Sequence, residues 1–212
     1  MEELDNNKEK ILKGAEDLFM KYGVRSISMD DIARHLSVSK KTLYQHFADK
    51  EELVTLVSKS HLERNAKEIE SIQSTAENSI EELARISVCI KKNMEGLNPA
   101  MLFDLQKFHP KAWGVWLDFK NKFIRESVVR NLKKGIEDGY IRPEIDHEVM
   151  AVMRIELIQL SFNPDVFPRE RFNPVEVHGQ IFDHFVLGLV TEKGRKLYLK
   201  CKELNQQPST II

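Results

Sequence analysis

The chain has 212 residues, 42% of them apolar, and a net charge of −1; this suits one large domain or two small ones around a substantial core. No apolar run approaches the ~18 residues that span a bilayer, and the acidic, polar start "MEELDNNKEK" lacks the pattern of a secretory leader. No membrane partner is therefore expected, and a cytoplasmic location is; Cys89 and Cys201, far apart and without CxxC spacing, read as free thiols.

Helical spacing recurs along the chain and strand signals are weak. Ile11, Ala15, Leu18, Phe19 and Tyr22 share one helical face, and Gly23 stops that helix. "SMDD" from Ser28 is a capping-box-like start, with Asp31 three residues on; Ile32, Ala33 and Leu36 form its inward face. The turn "SVS" follows, and Ser39 caps a short helix to about His46. Asp49 in "DKEE" caps a fourth helix. "NSIE" opens another at Asn78, ending near Gly96. Asn98-Pro99 places proline at a first helical position. Pro110 begins a long amphipathic stretch to about Asp138, stopped by Gly139. Asp146 caps an apolar helix that halts before Asn163. "NPVE" from Asn173 caps the last long helix, expected to end near Gly194. "NPDVFPRERFNP" is the one long irregular segment. The count is about nine helices, so the expected fold is all-α.

Two short helices joined by a three-residue turn form a helix-turn-helix candidate. On the second helix Leu43 and Phe47 must point inward with Val38. Lys41, Thr42 and Gln45 then lie on the opposite face, flanked by Lys40 and Tyr44 on one side and His46 on the other. A recognition helix sets such residues against base edges in the major groove. Lysine donates to guanine, glutamine pairs with adenine, and Thr42 can bond a base or touch a thymine methyl. Tyr44, His46 and Lys50 suit phosphate contacts, and Ser28 with Ser39 stands at the helix starts. Between Lys21 and Lys50, six basic residues face three acidic ones, a local excess on a neutral chain that points to phosphate. The plainer alternative is a solvated polar face on a small core helix.

"AEDLFMKYG", "SMDDIARHLSVSKKTLYQHF" and "DKEEL", spanning residues 11 to 53, resemble the DNA-binding domain of the TetR (tetracycline-repressor-like) family of bacterial regulators. The run "VSKKTLYQHFADKEEL" is the most specific match. Ser37 stands where the family often has glycine, so a positive φ there would carry strain. Ser28 replaces a frequent threonine and keeps the hydroxyl. The resemblance implies a DNA-binding domain over 1–50, a helical effector-binding and dimerisation domain over 51–205, and a flexible tail over 206–212. It further implies a homodimer on palindromic operator DNA, most often a repressor, released by a small molecule.

It also implies that the last two long helices build the dimer interface, with Val149, Val152, Met153, Glu156, Leu157 and Leu160 on one and Ile181, Phe182, Phe185 and Leu189 on the other. The effector would be largely apolar. Met94, Met101, Phe103, Phe108, Trp113, Trp116 and Phe119 are candidates to line its pocket, with Gln106, His109 and Arg154 as orienting polar groups; an ordinary core is the competing reading. No metal-ligand spacing, nucleotide loop or nucleophile motif occurs, so neither a cofactor nor catalysis is expected. The alternative function is a helical binding protein whose helix-turn-helix contacts a protein partner.

Overall fold

The structure, a computed structural model, describes residues 2–95, 98 and 100–206. Its helices are α1 (Glu2–Tyr22), α2 (Met29–His35), α3 (Lys40–His46), α4 (Lys50–Thr75), α5 (Ser79–Met94), α6 (Met101–Phe108), α7 (Pro110–Phe119), α8 (Arg125–Glu137), α9 (His147–Ser161), α10 (Pro174–Leu189) and α11 (Glu192–Gln206). A π-helical turn, Lys120–Ile124, joins α7 to α8 without a break. That makes ten continuous helical runs among the described residues, and the only strand-like pairing there is an isolated bridge between Ile141 and Val190. The fold is all-α.

The starts and stops follow from side-chain chemistry. Ser28 and Asp31 form a full capping box on α2. Ser39 accepts from the Thr42 amide, Asn78 from the Ile80 and Glu81 amides, Asp146 from Glu148 and Val149, and Asn173 from Val175. Each side chain satisfies amide donors that the first helical turn leaves free. Gly23 ends α1 at φ +83°, a conformation open to glycine without strain.

α6 starts at Met101, after Asn98 Oδ1 accepts the Ala100 amide at 2.9 Å; Pro99, the expected first helical position, lies outside the described residues. One boundary differs from the sequence reading: α10 ends at Leu189, not near Gly194, and a further helix, α11, follows. Thr191 makes that break: its amide donates to the Tyr140 carbonyl at 2.9 Å, and its hydroxyl accepts the Gly194 amide at 3.2 Å. Gly194 thus lies in the first turn of α11. A Cβ there would fall 2.2 Å from the Tyr140 carbonyl oxygen, so this glycine permits a close backbone approach. Gln206 closes α11, and the rest of the expected tail, 207–212, lies outside the described residues.

The chain forms two compact units. The first holds α1–α3, α4 as far as Asn65, and α6–α7. Its core is built from Ile11, Ala15 and Phe19 of α1, Ile32 and Ala33 of α2, Leu43 and Phe47 around α3, and Leu53, Val54 and Val57 of α4. Glu16 of α1 adds a polar tie, bonding His61 at 2.8 Å and Arg64, both on α4. The second unit holds the rest of α4, α5, the π-turn and α8–α11. Ile80, Leu132, Ile141, Phe182, Phe185, Val186, Leu189 and Tyr198 form its core.

Candidate nucleic-acid interface

α2, the turn after it and α3 hold their geometry through backbone bonds closed on the first core. Leu36 ends α2, and Ser37 follows at φ +53°. The Ser37 amide donates to the Arg34 carbonyl at 3.2 Å and the Val38 amide to the Ala33 carbonyl at 3.0 Å. This is the paired bonding of a left-handed helix stop, here on a serine. The strain anticipated at Ser37 is therefore present. Leu43, fully buried, and Phe47, 1% exposed, anchor α3 from below, with Val38 packed beside them.

That anchoring decides what α3 shows. Lys41, Tyr44 and Gln45 are exposed, while Thr42 and His46 are half-buried. Among the described residues, Lys41 pairs with no acidic side chain, so its charge is free for a ligand. The other predicted contacts are partly engaged. Lys40 pairs with Asp30 of α2 at 2.6 Å. The Ser28 hydroxyl donates to Asp31 at 2.5 Å, and the Ser39 and Thr42 hydroxyls are 2.8 Å apart. The hydrogen bonds from Ser28 hold the Asp31 carboxyl below the usual range. Lys50 donates to the Val24 carbonyl at 2.7 Å, tying α4 to the loop after α1. Burial draws its pKa down against the opposing pull of Asp104 and Asp31. Arg34, which the motif reading passed over, is a further exposed cation here, 3.9 Å from Asp31 and with its side chain 80% exposed. Its wheel position opposite Ile32 and Ala33 is the signal that could have found it.

The candidate ligand residues do not gather in one unit. Met101 and Trp113 flank the first core, and the Trp116 and Phe119 rings lie 6.2 Å apart. The Trp116 indole nitrogen is buried without a hydrogen-bond partner. Phe103, Gln106 and Phe108 are exposed, and the two phenylalanine rings carry Lys107 within 5.5 Å. His109 bonds Glu51 at 2.6 Å, and Glu51 also takes the Lys111 amide; the imidazole thus links α4 to the start of α7. Met94 and Arg154 are buried in the second unit.

The dimer candidates divide by helix. Val149, Val152, Met153, Glu156 and Leu160 of α9 are exposed, spaced as one continuous stripe. Leu157 is half-buried against the second core and Ile181 is half-buried, while Phe182, Phe185 and Leu189 of α10 lie inside that core. Among the described residues, no group of three or more His, Cys, Asp or Glu is placed to hold a metal ion, and no helix is long and apolar enough to cross a membrane. Both cysteines are free; burial and the neighbouring Glu68 push the Cys89 thiol up to about 11.

Residues 11–57 match the family model for bacterial regulatory proteins of the tetR family. The chain is 29% identical over 177 residues to the HTH-type transcriptional regulator YvaF of Bacillus subtilis, covering 79% of this chain and 88% of that one. It is 24% identical over 151 residues to the HTH-type transcriptional repressor KstR2 of Mycobacterium tuberculosis, covering 70% and 76%. A transcriptional regulator from Saccharomonospora viridis, solved in complex with choline, shares the fold at a TM-score of 0.73 and 15% identity, over 89% of this chain and all of that one. With the geometry of α2 and α3, these likenesses identify the chain as a member of the TetR family, a helix-turn-helix transcriptional regulator.

Proposed function

We propose that this regulator is a cytoplasmic homodimeric repressor that binds a palindromic operator through α3 and is released by a small, largely apolar effector. The observation that carries the reading is the α3 face. Lys41, Tyr44 and Gln45 are exposed together, on a helix whose other side is locked into a core by Leu43 and Phe47. Lys41, Thr42 and Gln45 would read base edges. Tyr44, His46 and the remaining donors of Lys50 would meet phosphate. Ser28, Ser39 and Lys40 would fix the pose of α2 and α3, since each is engaged within the motif.

The apolar stripe on α9 supports the dimer, because a two-fold axis lets one such stripe cover its own copy. A dimer would set two α3 helices roughly 34 Å apart, one turn of duplex. KstR2, described as a repressor, favours repression. The choline held by the Saccharomonospora regulator shows that this fold accommodates a small molecule, which favours an effector. Release would then be a population shift toward a dimer whose half-site spacing no longer fits.

Selection from random duplexes tests the reading. Wild type should enrich a palindrome. Gln45→Ala should relax the preference at one base pair per half-site, about 1–3 kcal/mol of lost discrimination. Failure to enrich any sequence, or an unchanged preference in Gln45→Ala, would contradict it.

A further inference from the structure

Five described side chains bury a nitrogen or oxygen that has no hydrogen-bond partner, those of Gln73, Ser79, Trp116, Asn131 and Arg154. Only Arg154 carries a charge. It is 3% exposed, on the inward face of α9, and no carboxylate among the described residues pairs with it. Its Nη2 is 3.3 Å from His178 Nε2, and its Nη1 has no acceptor. The guanidinium stacks over Phe182 at 4.6 Å and Phe185 at 5.9 Å.

The surrounding bonds supply no counter-charge. Arginine only donates, so His178 Nε2 accepts and Nδ1 carries the proton. Nδ1 lies 3.0 Å from the Ser161 hydroxyl, which passes its own hydrogen to the Ile158 carbonyl at 2.7 Å. Burial and the adjacent arginine drive the imidazole pKa down to about 3, so the ring is neutral. The Tyr198 phenol donates to Asp183 at 2.8 Å, and Asp183 also takes Lys202; that acid is already spent. A buried cation with neither counter-ion nor full hydrogen bonding is among the costliest features a core can hold.

We propose that Arg154 is the anchor for the carboxylate of an effector with an apolar body, the Nη1 edge of its guanidinium taking the anion while Phe182 and Phe185 border the adjoining apolar part. A fork of donors with one free edge is built for a carboxylate. The site holds a single positive charge, since His178 is neutral. A monoanion cancels it, whereas a phosphate dianion would leave surplus negative charge in an apolar surround. The neutral His178–Ser161 chain holds the arginine in place without competing for the anion.

The proposal rests on the effector reading above, and calorimetric titration of the full-length protein separates the two. The probes are decanoate, 4-phenylbutyrate and deoxycholate below their micellar concentrations, each beside its methyl ester. At least one acid should bind tenfold or more tighter than its ester and raise Tm. Arg154→Met, which keeps the aliphatic stem, should bind that acid no better than the ester. Its Tm without ligand should equal or exceed wild type, because an unpaired buried charge has gone. Arg154→Lys keeps the charge but not the fork, and should lower acid affinity several-fold with ester binding unchanged. Equal binding of acids and esters by wild type, no binding of any acid, or full acid preference in either variant would overturn the anchor. An acid that binds through Arg154 yet leaves DNA binding untouched would uphold the anchor and refute the effector reading. Operator binding by a protein that takes none of the acids would overturn the anchor and uphold the DNA-binding reading.

Discussion

Ser37, at φ +53°, places a Cβ in backbone space that costs an L-residue roughly 1–2 kcal/mol. Glycine would relieve that strain and lose some in unfolded-state entropy. Ser37→Gly is expected to stabilise the protein by about 1 kcal/mol, seen as a Tm rise of a few degrees. No rise, or a fall, would show that the serine hydroxyl contributes more than the strain removes. His178 gives a pH signature. Its folded pKa, about 3, lies below the ordinary 6.5 because of burial and then Arg154. The unfolded chain therefore binds the extra proton first. Stability from the neutral ring is full above pH 6.5 and is lost as pH falls toward 3. Glutamine can accept from Arg154 and donate to Ser161 without titrating, so His178→Gln should lose less Tm than wild type between pH 7 and 5. Superimposable profiles would contradict this. These groups also mark a limit of local reading. Lys40–Asp30, Lys50–Val24 and His109–Glu51 join residues whose meeting no helical wheel encodes, so contacts assigned by the wheel to DNA or ligand proved partly engaged.

The helices were legible wherever a short polar side chain precedes an apolar period. Ser28, Ser39, Asn78, Asp146 and Asn173 each accept the amides expected of them, as capping requires. The failures share a cause. Gly194 reads as a stop, yet its reason is tertiary, the Tyr140 carbonyl 2.2 Å from where a Cβ would sit. Gly194→Ala should therefore destabilise by about 1–3 kcal/mol, as overpacking against rigid backbone does, measured by chemical denaturation. A neutral effect would mean that the start of α11 yields easily. The π-turn at Lys120–Ile124 has no proline or glycine to announce it. Lys120, 4% exposed, reaches Gln159 at 2.8 Å and Glu156 at 3.3 Å on α9. Packing on α9, absent from any local pattern, holds that turn.

Over the whole molecule, the all-α class and the exposed face of α3 followed from periodicity and the motif, because both are local. The residues proposed to line an effector pocket could not be sorted the same way, because aromatic residues at helical spacing read alike whether they meet core, solvent or ligand. The α9 stripe was recoverable as apolar, but its outward direction needed the second core, which takes Phe182, Phe185 and Leu189 inward. Val152, 50% exposed, and Met153, 41% exposed, lie at the middle of that stripe. In the proposed dimer, glutamate at both would bury four like charges about the two-fold axis. The double variant should sediment as a monomer with unchanged helicity and lose operator affinity, since one half-site alone binds weakly. A variant that remains dimeric would move the interface elsewhere. The most direct test of the DNA-reading claim is binding to duplexes from beside its own gene over a salt series, with Lys41→Ala/Tyr44→Ala run in parallel. Log affinity should fall linearly with log salt, and the variant should bind more weakly across the series, having lost a base contact at Lys41 and a phosphate contact at Tyr44. Identical affinity and slope in the two proteins would contradict the assignment of α3 as the reading helix.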